Sequence, residues 1–164
     1  MSFYFEEIEI GDVLELGEFK FTAELIKSYS QIYDPLPFHI DEEAAKNGPF
    51  GALAASGWQV SAIWMHCMCR TLQRLAEDRR SCNEPVAKMG PSPGFKNMRW
   101  LHPVLAGDVI SYECEITNKR TTNSRPEWGI LFIHNRAKNA QGELVMEFDG
   151  IVFVERNIVL MEND

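Results

Sequence analysis

Apolar residues in the first half of the chain recur at the three- and four-residue spacing of helices. Over residues 25–33 this spacing predicts an amphipathic helix that Thr22 caps. The helix must end at Asp34, because a following proline disfavours the α conformation. A second, very short helix is predicted over 41–45. A longer apolar series starting at Ser56 predicts the main helix, whose first half is apolar nearly all round and should therefore be covered by other structure.

After position 85 the pattern changes to the alternation of strands. The clearest strand follows the Gly107-Asp108 turn, where apolar and polar residues alternate from Ile110 to Ile116. Other strands are predicted over residues 13–21, 95–101, 127–137 and 143–154, the last two joined by a hairpin turn. Strands joined by short turns form an antiparallel sheet, and its apolar face needs a cover. The fold class is therefore α+β, with a curved antiparallel sheet wrapped around a long central helix.

Composition and charge limit the possible partners. The chain has 164 residues, of which 45% are apolar, so we predict one globular domain over residues 1–164. Its formal net charge of −8 argues against nucleic acid as a partner. No apolar run approaches the roughly 20 residues of a membrane span, and the N-terminus lacks the features of a signal peptide. Because the four cysteines have no framework spacing, the sequence predicts a soluble, cytoplasmic protein with reduced thiols.

The segment from Asp34 to Asp41 breaks local sequence rules more than any other. Asp34 would stand at the electronegative end of a helix, and such local conflicts are typical of functional sites. Two prolines between Asp34 and His39 stiffen the connection and hold the two side chains in a set relation. A carboxylate and an imidazole that share one water form a general acid–base pair. From spacing alone, a tight turn is slightly favoured over that pair, with His39 capping a backbone carbonyl and Asp34 making a local turn bond.

The start of the main helix is the second candidate feature. Ser56 and Gln59 have the spacing of a capping box, in which each side chain bonds the other residue's backbone amide. With Ser56 as N-cap, the amides of Gly57 and Trp58 lack intrahelical acceptors. Because Gly57 has no side chain, a ligand carbonyl can approach its N–H closely, as in an oxyanion hole. The commoner explanation of such a glycine is close packing beneath a neighbouring strand.

No metal site is predicted. Cys67 and Cys69 would lie about 200° apart on a helix, so they cannot bind one ion together. His66 shares a helix face with Cys69, but the two supply only two ligands. His39 and Asp41, taken as part of an extended segment, would form only half of a metal site. We therefore expect core packing around the cysteines.

The order and spacing of these residues resemble those of the MaoC-like dehydratases and (R)-specific enoyl-CoA hydratases, a family with the hot-dog fold. The most specific part is the Asp-x-x-Pro-x-His-x-Asp run at 34–41, with five residues from Asp to His. The resemblance continues through the approach to the central helix over 48–57 and through His102-Pro103 and Gly107-Asp108. The chain departs from the usual family pattern at Leu36, Ser56 and Met65.

The resemblance implies an enzyme that adds water to, or removes it from, the α,β double bond of an acyl-CoA or acyl-carrier thioester. Asp34 and His39 would be catalytic and would activate the water. Substrate binding would fall to Ser56, Gly57 and Trp58, with the Gly57 amide on the thioester carbonyl. No metal or other cofactor is implied. The expected assembly is a homodimer, or a higher assembly of dimers, with acyl sites at the subunit interface.

Two other functions are open at this point. A thioesterase on the same fold would direct water at the carbonyl carbon instead of the β-carbon. In a non-catalytic subunit that binds acyl thioesters, Asp34→Asn and His39→Ala would leave ligand binding and every measurable activity unchanged.

Overall fold

The computed structural model describes residues 4–157. Its helices are α1 (Ala23–Tyr33), α2 (Pro37–Ile40), α3 (Glu42–Lys46) and α4 (Gly57–Ser81). Its strands are β1 (Val13–Lys20), β2 (Gly94–Trp100), β3 (Val109–Thr121), β4 (Trp128–Lys138) and β5 (Leu144–Glu155). Every predicted strand is present, with ends that differ from the prediction by a few residues.

The strands of residues 4–157 form a five-stranded sheet in the order β1-β3-β4-β5-β2, and each neighbouring pair is antiparallel. Burial alternates along the central strands, as the sequence pattern predicts. Cys114 of β3 lies opposite Asn135 of β4, which lies opposite Phe148 of β5, and all three are buried on the inner face. This face forms one wall of the core.

Helix α4 packs its buried stripe against the inner face of the sheet. Val60, Trp64 and Cys67 belong to this stripe, and the indole of Trp64 meets the ring of Phe148 edge-on at 4.7 Å between centroids. The prediction that the first half of α4 is covered all round is wrong for the single chain, since Met65 is 50% exposed. One sheet can cover only one side of a helix, so the opposite side stays open.

Side-chain caps begin helices α1 and α3. Thr22 accepts a hydrogen bond from the amide of Leu25 at 3.3 Å, which confirms it as the N-cap of α1. Asp41 caps α3, the short helix that the sequence predicts. The capping box predicted for α4 is wrong. Ser56 stands at the N-cap position without a side-chain cap bond, and Gln59 donates to the carbonyl of Leu25, 2.9 Å away on α1.

Candidate active site

Asp34 and His39 face each other across a short connection. Asp34 follows the last residue of α1, and His39 lies in the single helical turn of α2. Their nearest side-chain atoms, Oδ2 of Asp34 and Nε2 of His39, are 3.4 Å apart. The imidazole is almost fully buried, whereas the carboxylate is 24% exposed. The set relation predicted for the two side chains is therefore present.

The second nitrogen of His39 is held by a backbone carbonyl. Nδ1 lies 2.6 Å from the oxygen of Ala54, which can only accept a hydrogen bond, so Nδ1 carries a proton. In the neutral ring, Nε2 then has a free lone pair directed at Asp34. Ala54 is itself fixed, because its amide donates to the carbonyl of Phe38 and it forms an isolated bridge with Leu105. Nothing in the local sequence pattern identifies Ala54 as a member of the site.

The connection that carries His39 is helical and not extended. Pro37 occupies the first turn of α2, where a missing N–H costs nothing, and the amide of His39 donates to the carbonyl of Leu36 at 2.9 Å. The extended segment assumed for the His39–Asp41 pair is therefore wrong. The alternative interpretation of a tight turn is half right: His39 does bond a backbone carbonyl, but its acceptor lies 15 residues along the chain.

Gly57 borders the same cavity as His39. The cavity has a volume of about 250 Å³. The alternative explanation, that Gly57 allows close packing beneath a neighbouring strand, is also confirmed. A Cβ atom at this position would lie 2.6 Å from Cδ2 of Trp100. The indole of this β2 residue thus lies directly on the glycine backbone. Gly57 serves close packing and borders the cavity at once.

The two neighbours of Gly57 are placed differently. Ser56 is fully buried, and within residues 4–157 its hydroxyl has no hydrogen-bond partner. It does not line the cavity. Trp58 is also outside the lining, and its half-exposed indole meets Trp100 edge-on at 5.0 Å between centroids. Of the three residues expected to bind substrate, Gly57 alone borders the cavity.

The other residues considered as metal ligands do not form a common site. Cys67 is buried and Cys69 exposed, so the two thiols lie on different sides of α4. The Asp41 carboxylate accepts the first amides of α3. In the part of the chain that the structure describes, no group of three or more His, Cys, Asp or Glu side chains is arranged to hold a metal ion. Within residues 4–157, every helix is too short or too polar to span a bilayer.

Charged side chains form a network on the outer face of the sheet, away from the cavity. Burial alone would raise the pKa of the Glu113 carboxyl, but hydrogen bonds from Lys138 and Arg136 outweigh it and hold the pKa below its usual value. The pKa of Asp149 is lowered mainly by the hydrogen bond from His134, 2.8 Å away. These pairs join neighbouring strands and lie outside the candidate site.

Comparison with known proteins agrees with the fold. Residues 7–128 match the family described as "MaoC like domain". A solved MaoC-like dehydratase from Rhodospirillum rubrum is 28% identical, with a TM-score of 0.76 over 94% of this chain and 97% of that one. The uncharacterized protein YdeM of Bacillus subtilis is 26% identical over 92% of this chain and 98% of its own length.

A more distant structure shares the fold alone. It is an (R)-hydratase from A. caviae, 18% identical, with a TM-score of 0.65 over 90% of this chain and 97% of that one. The family match spans most of the chain, and the antiparallel sheet around a long helix is the hot-dog arrangement of these neighbours. The chain therefore belongs to the MaoC-like dehydratase family.

Proposed function

We propose that this protein is a hydro-lyase that adds water to, or removes it from, the α,β double bond of an acyl thioester, with Asp34 and His39 as catalytic residues. The observation that carries the proposal is the 3.4 Å approach of Nε2 of His39 to Oδ2 of Asp34, with His39, though not Asp34, lining the cavity that Gly57 borders. Membership of a dehydratase family supports it, as does the name of the A. caviae neighbour, an (R)-hydratase.

The hydrogen-bonding capacity of the pair favours a shared water. Because Nδ1 of His39 donates to Ala54, both Nε2 of the neutral ring and the Asp34 carboxylate are acceptors. Two acceptors 3.4 Å apart do not bond each other, but a single water can donate one proton to each. A water held in this way has its oxygen lone pairs free to attack an electrophilic carbon.

Hydration then proceeds by addition of the water oxygen to the β-carbon and transfer of a proton to the α-carbon. Asp34 accepts a proton from the water while the oxygen adds to the β-carbon, and the double-bond electrons move onto the carbonyl oxygen as an enolate. His39 orients the water and relays the proton to the α-carbon as the enolate collapses. The sum is the addition of one water, and dehydration is the same sequence in reverse.

The start of α4 suits the developing negative charge. Gly57 is the first residue of a 25-residue helix, so its amide has no intrahelical acceptor and the helix dipole favours an anion there. Removing one such donor from an oxyanion hole typically lowers kcat by about 10²–10³-fold. The amide of Gly57 thus takes the thioester carbonyl, with Asp34 and His39 acting on the β-carbon side.

Assays of Asp34→Asn and His39→Ala with crotonyl-CoA test this proposal. We expect each variant to lose about 10²–10⁴-fold in hydration rate, the usual contribution of a general acid–base group. Asp78→Asn and His134→Ala are matched controls, since Asp78 is exposed near the end of α4, His134 belongs to the charged network on the outer face of the sheet, and neither lines the cavity. Loss of the conjugated absorbance is followed together with thiol release.

Three results would contradict the proposal in different ways. Thiol release without loss of the double bond would identify a thioesterase. Equal hydration by the Asp34→Asn variant and the wild type would remove the acid–base pair from the mechanism. A wild type that binds the thioester without turning it over, and that binds it as tightly as both variants do, would identify a non-catalytic acyl-thioester subunit.

A homodimer with acyl sites near its interface is part of the same proposal. The open side of α4 presents Trp58, Ala62, Met65 and Cys69, which share one face of the helix and are exposed in the single chain. An apolar stripe of this kind is typical of an interface. Sedimentation of a stable monomer at micromolar concentration would contradict this assignment.

A further inference from the structure

A hydrogen bond from Gln59 joins the first turn of α4 to α1. Nε2 of Gln59 donates to the carbonyl of Leu25 at 2.9 Å, and Gln59 is only 3% exposed. Gln59 lies two residues after Gly57, in the first turn of α4, and Asp34 is the residue at which α1 ends. The bond therefore links the helical turn that carries the Gly57 amide to the helix that carries the Asp34 carboxylate.

The other contacts of α1 leave its position along its own axis less well defined. Ile26 and Ser30 are the buried residues of this helix. Apolar contact is non-directional, so the packing of Ile26 does not by itself prevent α1 from sliding. The ion pair between Lys27 and Glu42 of α3 is partly exposed, and such pairs contribute little. A directional bond between buried groups is the contact that can set α1 against α4.

The burial of the Gln59 side chain carries an energetic cost. Within residues 4–157, its Oε1 is buried and has no hydrogen-bond partner. A leucine is of similar size and would fill the same position without an unpaired polar atom. Packing alone therefore does not account for the carboxamide. A polar group that is kept against such a local cost is typical of functional sites.

The spacing that this bond holds matters for the proposed reaction. Leu25 lies nine residues before Asp34, which is about 13 Å along a rigid helix, so a shift of α1 at Leu25 reaches the carboxylate. The β-carbon and the carbonyl oxygen of a conjugated thioester lie in one plane at a fixed separation, which the two catalytic elements must match. We propose that Gln59 is a positioning residue that sets the distance between the Asp34 carboxylate and the Gly57 amide.

This inference rests on the proposed function, and steady-state hydration of crotonyl-CoA by Gln59→Leu tests it. Leucine keeps the approximate size of the side chain and removes the donor. We expect kcat to fall by about 10–100-fold, since a misplacement of about 1 Å can cost that much. KM should change by less than about threefold, because the lost alignment acts in the transition state.

Thr71→Val is the matched control. Thr71 is also buried on α4, its hydroxyl donates to the carbonyl of Leu16 on β1 at 3.4 Å, and it does not line the cavity. This variant loses a bond of the same kind between α4 and another element, so it reports the effect of lost stability alone. An equal loss of kcat in Gln59→Leu and Thr71→Val would overturn the inference and leave the proposed function intact.

Gln59→Glu adds a pH readout, with kcat taken per folded molecule from circular dichroism at each pH. A carboxylate cannot donate to the Leu25 carbonyl, whereas a protonated carboxyl group can. Burial raises the pKa of such a carboxyl group, so the ratio of variant to wild-type kcat should rise as pH falls. Titration of groups common to both proteins cancels in this ratio. A ratio that does not rise would overturn the inference, and this readout decides the question if Gln59→Leu does not fold.

Amide hydrogen exchange keeps the two proposals separable, because it needs no turnover. The amide of Asp34 donates to the carbonyl of Ser30 at 3.0 Å in the last turn of α1. Its exchange should be faster in Gln59→Leu than in the wild type and unchanged in Thr71→Val. That result without any hydration by the wild type would overturn the proposed function and support the link between Gln59 and α1. Equal exchange in all three proteins would overturn the link.

Discussion

Substitution of Gly57 by alanine is the sharpest test of how the start of α4 is built. The new Cβ atom would lie 2.6, 2.7 and 2.9 Å from three atoms of the Trp100 indole, well inside van der Waals contact. The indole cannot turn away freely, because its Nε1–H bonds Ser61 and its ring meets Trp58. The added methyl group must therefore displace Trp100 as a whole.

The magnitude follows from two opposing effects. Forcing a methyl group into a filled site costs about 1–3 kcal/mol, whereas alanine gains up to about 1 kcal/mol over glycine in a helix. We expect a net loss in the free energy of unfolding of about 1–2 kcal/mol for Gly57→Ala, since the clash exceeds the gain in helix propensity.

A double-mutant cycle with Trp100→Ala measures the clash directly. Without the indole, the three closest contacts of the new methyl group are gone, so Gly57→Ala should be neutral or stabilising in that background. The coupling between the two substitutions should reach about 1–3 kcal/mol, as found for residues in contact. Urea unfolding followed by circular dichroism gives the four free energies, at one protein concentration because assembly would add to stability.

Hydration of crotonyl-CoA by the same four proteins separates the two roles of Gly57. If the amide also binds the thioester carbonyl, the methyl group obstructs that approach whether or not Trp100 is present. Stability is then rescued in the double variant and activity is not. Stability effects that add to within about 0.5 kcal/mol would refute the packing argument.

Two smaller predictions concern stability. Glu113→Gln removes the ion pairs with Arg136 and Lys138. It should lower the free energy of unfolding at pH 7 by about 1 kcal/mol or less, which is the usual contribution of ion pairs near a protein surface. Because the pKa of Glu113 is lowered by folding, its contribution is present above the unfolded pKa and is lost as pH falls through the folded pKa. A difference from wild type that persists in acid unfolding titrations would contradict this sign. Thr22→Ala should lower the free energy of unfolding by about 1 kcal/mol, because a helix cap is lost. Ser56→Ala should lower it by less than about 0.5 kcal/mol, because the Ser56 hydroxyl makes no cap bond. Thermal denaturation that shows Ser56→Ala to be the more destabilising variant would contradict this ranking.

The strands and the long helix could be predicted because their burial repeats with a fixed period. Ile110, Tyr112, Cys114 and Ile116 alternate in the sequence and are all buried on β3. Periodicity of this kind reports which side of an element meets the core. It does not report whether the other side of a helix meets a second partner. Composition alone therefore predicts a covered Met65 face of α4, which the single chain leaves exposed.

Local hydrogen bonds were harder to predict, because distant groups compete for the same atoms. Gln59 has the spacing of a capping-box partner, yet its amide donates to Leu25, 34 residues earlier in the chain. That contact arises only when α1 packs against the start of α4. The sequence does not predict the helical turn at Pro37–Ile40, for a related reason. Proline suits both an extended run and the first turn of a helix, so residue type leaves the choice to tertiary packing.

The chemistry of the site depends most on the group that the sequence could not identify. Spacing brings Asp34 and His39 together, but spacing does not determine which nitrogen of the imidazole carries the proton. The Ala54 carbonyl determines this, because its oxygen lies 2.6 Å from Nδ1. Every residue type has a backbone carbonyl, so the sequence does not mark this one. If Nδ1 were free, Nε2–H could donate to Asp34 and the pair would close on itself. In the neutral ring with Nδ1 engaged, the lone pair of Nε2 and the carboxylate are left without a donor between them, and a water is the smallest group that can supply both protons.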